Sequence, residues 1–385
     1  METPNWLVML LATACGLIVA NIYYVQPLAG PISEALGLSP QAAGLLVTMT
    51  QIGYGIGLLL IVPLADLIEN RRVIVSLIAL SSLALAGASL ATSASVFFCA
   101  AACIGLSSVA VQVLVPYSAH MSSEASRGRV VGTVTGGLMF GIMLARPVSS
   151  FIAHALSWHA VFALSAALMV ALAVLLRLSL PRHQPNSGVG YLALLVSLGG
   201  LARRTPILQR RALYQSCLFG SFSLFWTTSP LLLASVYHLT QNGIALFALA
   251  GVTGAISAPI AGRVADRGWG KPATVVGMIA VALSFLLSRA GTPGTHASLA
   301  MLLGAAILLD FGVTANLVLG QRAIFALGAA YRGRLNGLYL AALFVGGAFG
   351  SAVGGWAYAY DGWALASWVG LALPIIALAS YATER

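Results

Sequence analysis

Nine carboxylates occur in this chain, and eight of them (Glu2, Glu34, Asp66, Glu69, Glu124, Asp266, Asp361 and Glu384) lie in or beside polar stretches. Asp310 alone sits deep inside a long apolar run. Its charged form is poorly solvated there, so it can load a proton from one side of a barrier and release it to the other. A substrate that favours the ionised form would displace that proton, which is exchange by competition. Arg146 is the one basic residue inside an apolar run, where it can snorkel or pair. Other chemistry finds no residues to carry it. The chain has no G-x-x-x-x-G-K-[ST], G-x-S-x-G or H-E-x-x-H pattern, which argues against direct use of ATP and against an enzyme. Cys99 and Cys103 stand at i, i+4 with no histidine beside them, and the six histidines fall near the ends of apolar runs. No metal or cofactor is expected.

These residues have to be held in an apolar solvent. Of the 385 residues, 59% are hydrophobic and 7% charged, against ~25% charged in an ordinary soluble domain. The chain is therefore an all-helical, multi-pass membrane protein. The net charge of +10 does not point to nucleic acid, and the uniformly apolar runs exclude a barrel of alternating residues. Spans of ~20 residues are needed to cross a bilayer. Cutting at polar and Gly/Pro clusters gives twelve: 6–28, 41–64, 73–93, 96–118, 130–153 and 159–180, then 213–236, 242–264, 272–290, 296–320, 335–357 and 362–382. The domains expected are a six-helix half over 1–180, a linker over 181–212 and a second six-helix half over 213–385. Met1 to Trp6 holds no Lys or Arg, so the first run reads as a span rather than a cleaved signal.

All but Arg146 and Arg289 of the 19 basic residues fall on one side if the N-terminus is inside. The positive-inside rule then puts both termini in the cytoplasm, with the bacterial inner membrane as the expected location. In the linker, Tyr191, Leu194, Leu195, Leu198 and Leu201 follow helical spacing ahead of Arg203, Arg204, Arg210 and Arg211. That predicts an amphipathic helix on the inner membrane surface.

The halves repeat each other. Arg127-Gly128-Arg129 with Gly132 returns as Arg332-Gly333-Arg334 with Gly337, and at the same spacing Gly141 matches Gly346 and Trp158 matches Trp363. Pro63-Leu64-Ala65-Asp66 with Arg71 and Arg72 has a counterpart at Gly262, Ala265, Asp266, Arg267 and Lys271. Two parallel six-helix repeats are a layout of secondary transporters, with the substrate site between them.

With these motifs the chain resembles the major facilitator superfamily along its whole length. The family's loop signature, G-x-L-x-D-R-x-G-R-[KR], is kept at Leu64, Asp66, Arg71 and Arg72, with Val62 for its first Gly and Leu67 for its Arg. The second copy keeps Gly262, Asp266, Arg267 and Lys271. Gly137-x-x-x-Gly141 and Ala145-Arg146-Pro147 are similar to the helix 5 motif of the drug:proton antiporter branch, with Arg146 intruding. That branch's helix 4 arginine is replaced by Ala101. The resemblance implies a fold of twelve helices in two pseudo-symmetric halves, and a cavity lined by helices 1, 4, 7 and 10. The cavity candidates are then Asn21, Tyr23, Tyr24, Gln112, Phe222, Trp226 and Asn316. Asp66 and Asp266, with Arg71, Arg72, Arg267 and Lys271, are expected to latch the inner mouth through charge pairing and helix N-termini.

An apolar, aromatic wall with few polar groups suits an amphipathic organic molecule. The expected function is proton-coupled efflux of such compounds by alternating access, by a monomer in the lipid bilayer. The alternatives are a sugar or amino-acid metabolite exporter or facilitator without proton coupling, and a non-transporting sensor on the same fold.

Overall fold

The computed structural model describes residues 4–124, 126–185, 190–328 and 331–384. Glu2 and Arg385, counted among the charges above, lie outside them. Hydrocarbon offers no partner to a backbone N–H or C=O, so apolar runs bond within themselves as helices. The first span is α1 (Asn5–Ala20) and α2 (Val25–Ala35), bent by 40° between them. Pro27 causes the bend: it lacks an N–H and its ring crowds the carbonyl four residues back, at Tyr23. Next come α3 (Ala43–Leu60) with a 3-10 turn at Val62–Asp66, α4 (Asn70–Ser89), and α5 (Ala94–Ser108) with α6 (Ala110–His120). Helices α7 (Arg127–Ala155) and α8 (Trp158–Ser179) complete the first six spans.

After the linker helix α9 (Tyr191–Arg204) comes α10 (Pro206–Ser235). The eighth span is broken into α11 (Gln241–Ala248) and α12 (Thr253–Asp266) by a 3-10 turn at Leu249–Val252. It is followed by α13 (Gly270–Leu287), α14 (His296–Phe325) and α15 (Arg332–Ala382). The 51 residues of α15 would run ~77 Å as one rod, more than twice a bilayer's ~30 Å hydrocarbon core. Asp361 and Gly362 leave helical geometry, with Gly362 at φ 57°, and split it into two crossing arms. Among the described residues the count is twelve spans.

Three expected boundaries move. The first span runs on to Ala35 instead of ending at 28. The seventh span starts at Pro206, whose missing N–H is harmless in a first helical turn. Arg210 and Arg211 are therefore on a helix, not in a loop. Arg211 is buried, donating to Thr274 Oγ1 at 3.2 Å and pairing with Glu384 at 3.6 Å. The tenth span continues to Phe325 instead of ending near 320.

Packing within the halves repeats as the sequence does. In the first half α1 lies on α7, α3 on α5 and α4 on α8. In the second α10 lies on α15, α12 on α14 and α13 on α15. Lipid tails are as apolar as Leu, so such contacts depend on close approach of backbones. A Cβ at Gly137 would come within 2.6 Å of the Ala12 carbonyl carbon, and one at Gly141 within 2.6 Å of that of Gly16. The second half repeats this with Gly346 against Ser216 and Gly350 against Gly220. The Gly141/Gly346 match in sequence is thus one helix contact made twice.

The halves meet along α3 and α15, α2 and α10, and α7 and α11. Helix α7 packs on α11 and the Leu249–Val252 turn, while α12 makes no comparable contact with it. The bundle is closed at the end away from the arginine clusters and parted along the α7–α12 seam at the arginine end. Helix α9 lies across the α3–α15 seam, with Leu194 and Leu198 buried against the bundle. Tyr191 donates to the Leu60 carbonyl at 2.8 Å, and Arg334 donates to Ser197 Oγ at 3.3 Å. The face expected to lie on lipid instead covers protein, and Leu192 and Val196 are the exposed apolar pair.

Gly141→Ala should push α7 off α1, because the added methyl meets backbone that cannot rotate away. Overpacking of this kind costs about 1–3 kcal/mol or more. Thermal unfolding in detergent should show a lowered Tm, whereas Gly136→Ala, with nothing within 4 Å on the same helix, should match the parent protein. Equal Tm values for the two variants would refute the close-packing argument.

Candidate functional site

Asp310 is the fifteenth of the 30 residues of α14, so it stands at the helix midpoint, not past the middle as the shorter expected span placed it. The side chain is buried, and its Oδ1 accepts from Trp226 Nε1 of α10 at 2.8 Å. The other face of this position belongs to the broken eighth span: a Cβ at Gly251 would lie 2.9 Å from Asp310 Oδ2 and 3.1 Å from Arg146 Nη1. Arg146 and Asp310 therefore face one another across the two halves, over a residue with no side chain. They do not close into an ion pair.

Arg146 does not snorkel; it is 2% exposed. Its Nε donates to Gln26 Oε1 at 2.7 Å. Three aromatic rings take the place of water around the guanidinium. Its carbon lies 4.4 Å from the centroid of Trp226, 4.9 Å from Phe222 and 5.3 Å from Tyr23. A desolvated cation–π contact stabilises by about 2 kcal/mol, so this cage offsets a substantial part of the desolvation cost. The bend after α1 is what turns Tyr23 and Gln26 toward it. Phe222 and Trp226, four residues apart on α10, share a helix face from the opposite half.

A second layer of contacts crosses the halves. Gln51 donates to Ser223 Oγ at 2.7 Å, and Thr48 Oγ1 lies 2.8 Å from Ser351 Oγ. Tyr54 meets Phe344 at 4.3 Å between ring centroids and accepts a bond from Gln112 at 3.0 Å. Phe219 stacks on Phe222 at 5.1 Å.

Of the residues singled out in the sequence, Tyr23, Arg146, Phe222, Trp226 and Asp310 come together at the centre, with Gln112 one layer away. Asn21, Tyr24 and Asn316 do not. Asn21 accepts from Ser165 of α8 at 2.6 Å and Tyr24 also bonds Ser165, both inside the first half. Asn316 donates to the Thr274 carbonyl at 3.5 Å inside the second half. These three tie helices together within a half. The sequence reading gave no role to Gln51, Tyr54, Gly251 or Phe344. Gln51 carried a usable signal, being a lone amide in an apolar run; Gly251 carried none beyond its type.

At the arginine end the two loop copies differ. Asp66 lies within electrostatic reach of Arg334, which belongs to the other half. Asp266 pairs with Arg322 of α14, in its own half. Arg71 and Arg72 pair with Glu69 at 3.5 and 2.9 Å, and Arg71 donates to the Leu180 carbonyl at 3.1 Å. Arg267 and Lys271 are exposed. Among the described residues no cluster of His, Cys, Asp and Glu could hold a metal ion.

Comparison with known proteins agrees with this architecture. Residues 9–294 match the family model of the Major Facilitator Superfamily. The chain is 36% identical to the transporter YgaY of Escherichia coli O157:H7 over 378 residues, 98% of this chain and 95% of that one. It is 31% identical to the probable transporter SCO4007 of Streptomyces coelicolor over 357 residues, 92% and 82% of the two chains. A mutant of the nucleoside transporter NupG superposes with a TM-score of 0.74 over 97% of this chain and 99% of that one; at 16% identity this speaks to the fold alone. Twelve spans among the described residues, their packing as two repeated halves and these relatives give one conclusion: the chain belongs to the major facilitator superfamily, a family of membrane transporters of small molecules and not of enzymes.

Proposed function

We propose that the protein exports small amphipathic organic compounds in exchange for protons, by alternating access, from the inner membrane of a bacterium. The observation that carries this reading is the buried Asp310, held by Trp226 at a helix midpoint and facing Arg146 across the two halves. A carboxyl group there carries charge only where a partner solvates it, so substrate and proton compete for one place. The positive-inside rule makes the arginine end cytoplasmic. The closed end is then the outer one, and the parted α7–α12 seam admits substrate from the cytoplasm. Substrate binding at the ionised Asp310 sends its proton to the inner water. Once the halves rock, substrate leaves outward and a proton from the outer side takes its place. The export direction is favoured by the resemblance of Gly137-x-x-x-Gly141 and Pro147 to the antiporter motif.

Asp310→Asn keeps the acceptor for Trp226 Nε1 and removes the titrating group. In proteoliposomes the variant should fold and exchange substrate, while flux driven by an imposed pH gradient falls to the level measured without one. A variant that responds to the gradient like the parent protein would show that Asp310 does not couple.

Asp66 is proposed to hold the α3–α15 seam shut at the arginine end through Arg334, with Arg71 and Arg72 ordering its own loop and Asp266, Arg267 and Lys271 the matching loop of the second half. Partly exposed charge pairs stabilise by about 1 kcal/mol or less, so Asp66→Asn should change the ratio of states by at most about fivefold, toward the inward-open form. Spin labels at Ser123 and Leu327, in a background without the exposed Cys99 and Cys103, should report a longer mean distance and a reduced flux. Unchanged distances with normal flux would remove Asp66 from the latch.

A further inference from the structure

Four arginines fall within nine residues where the linker meets the second half: Arg203 and Arg204 end α9, and Arg210 and Arg211 stand in the first two turns of α10. The corner between the helices is tight. Gln209 Nε2 donates to the carbonyls of Ala202 and Arg203, both at 2.9 Å. Beside this corner is a cavity of about 470 Å³, lined by Pro206, Ile207, Arg210, Arg211, Thr383 and Glu384. Among the described residues Glu384 is the one carboxylate at its wall, and it is already engaged: Tyr214 donates to it at 3.0 Å and Arg211 pairs with it at 3.6 Å. Arg210 Nη2 donates to the Thr383 carbonyl at 3.3 Å. Both arginine contacts are longer than the about 2.8 Å of a tight charge-assisted bond. With four guanidinium groups against one carboxylate, positive charge is left over at the corner.

Helix α10 has 30 residues and so runs ~45 Å, against ~30 Å of hydrocarbon. The end that carries Arg210 and Arg211 therefore reaches beyond the hydrocarbon to the headgroups, on the side to which the arginines are sorted. Apolar surface is exposed at the same place. Leu192, Val196 and Arg203 share one face of α9, turned away from the buried Leu194 and Leu198. Leu192 and Val196 are 74% and 71% exposed, and Ile207 of α10 is 44% exposed. A soluble anion would use the arginines and leave these apolar side chains to water. An apolar stripe that ends in arginines fits a molecule with an anionic head and apolar tails.

We propose that the α9–α10 corner is a binding site for the phosphodiester headgroup of an anionic phospholipid of the inner leaflet. The phosphate lies at the mouth of the cavity, among Arg203, Arg204 and Arg210, and the acyl chains run along Ile207, Val196 and Leu192. Glu384, tied to Tyr214 and Arg211, keeps the phosphate at the mouth and off the buried Arg211. A lipid held here fastens the linker to the membrane at the point from which α9 crosses the α3–α15 seam. The site uses the cytoplasmic placement of the arginine end and does not depend on what the protein carries.

The test is native mass spectrometry of the delipidated full-length protein with dioleoyl phosphatidylglycerol and dioleoyl phosphatidylcholine. The two share tails and a phosphodiester and differ in net charge. The first phosphatidylglycerol should bind at least about tenfold more tightly, since each arginine near an anionic headgroup contributes about fivefold. Arg203→Gln with Arg204→Gln should reduce that preference to about twofold or less. Arg127→Gln with Arg129→Gln removes two exposed arginines of α7 at the same end of the bundle and should leave it intact. Ammonium phosphate in place of ammonium acetate, at equal ionic strength, should leave the bound lipid where it is. Equal affinity for the two lipids overturns the proposal on the parent protein alone, whatever the variants do. An equal loss in both double variants would show attraction by net charge and no site, and displacement by inorganic phosphate would show a free-phosphate site; either overturns it. Binding is read without transport, so its failure leaves the exporter reading as it stands, and absence of gradient-driven flux leaves the lipid site.

Discussion

A guanidinium removed from water at the centre of an apolar bundle must be solvated by the protein, and much of the molecule is arranged around that requirement. Arg146 draws on Gln26 and Tyr23 from the first span and on Phe222 and Trp226 from the seventh. Those residues belong to different halves, so solvating one charge also holds the halves in register. The opposite charge on Asp310, itself held by Trp226, limits the electrostatic cost of keeping either group in an apolar interior. The same tryptophan thus serves both charges, as a donor at its edge and as a π-face for the cation. A transporter needs an interface between its halves that is stable and can still be exchanged for another. Cation–π and single hydrogen-bond contacts across that interface meet both needs better than a closed, fully bonded ion pair would.

Around this centre the helices are packed by what they lack. Gly16, Gly137 and Gly141 in one half, and Gly220, Gly346 and Gly350 in the other, bring backbones into contact where a methyl group would intrude. Each half is thereby a stiff unit, and motion is left to the surfaces between halves. Among the described residues three spans are interrupted near the middle of the bundle: the first at Asn21–Tyr24, the fourth at Val109 and the eighth at Leu249–Val252. Two of these breaks border the Arg146–Asp310 centre, in keeping with the use of discontinuous helices at transport sites.

The repeat is not carried through into equal roles. Asp66 reaches across to Arg334, whereas Asp266 stays with Arg322 on its own side. The linker helix adds to the asymmetry, since α9 covers the α3–α15 seam and takes Arg334 onto Ser197. One seam at the arginine end is therefore reinforced by a charge contact and a covering helix, while the α7–α12 seam stands apart.

Composition, periodicity and charge placement determined the class of this protein: twelve apolar helices, two repeated halves, the grouping of arginines at one end and a single carboxylate deep in a span. Each follows from local chemistry, because a backbone in lipid has to bond within its own segment and charges there are too costly to be accidental. Asp310 and Arg146 were legible for that reason. Which residues meet was decided only by tertiary structure. Asn21 and Trp226 look equally suited to a cavity in sequence, yet one turns to Ser165 inside a half and the other joins the two charges. A helix bearing polar groups on several faces does not say in its sequence which face meets which neighbour. That choice depends on the bends at Tyr23 and Gly251 and on the crossing of packed glycines, which is set by contacts more than a hundred residues apart.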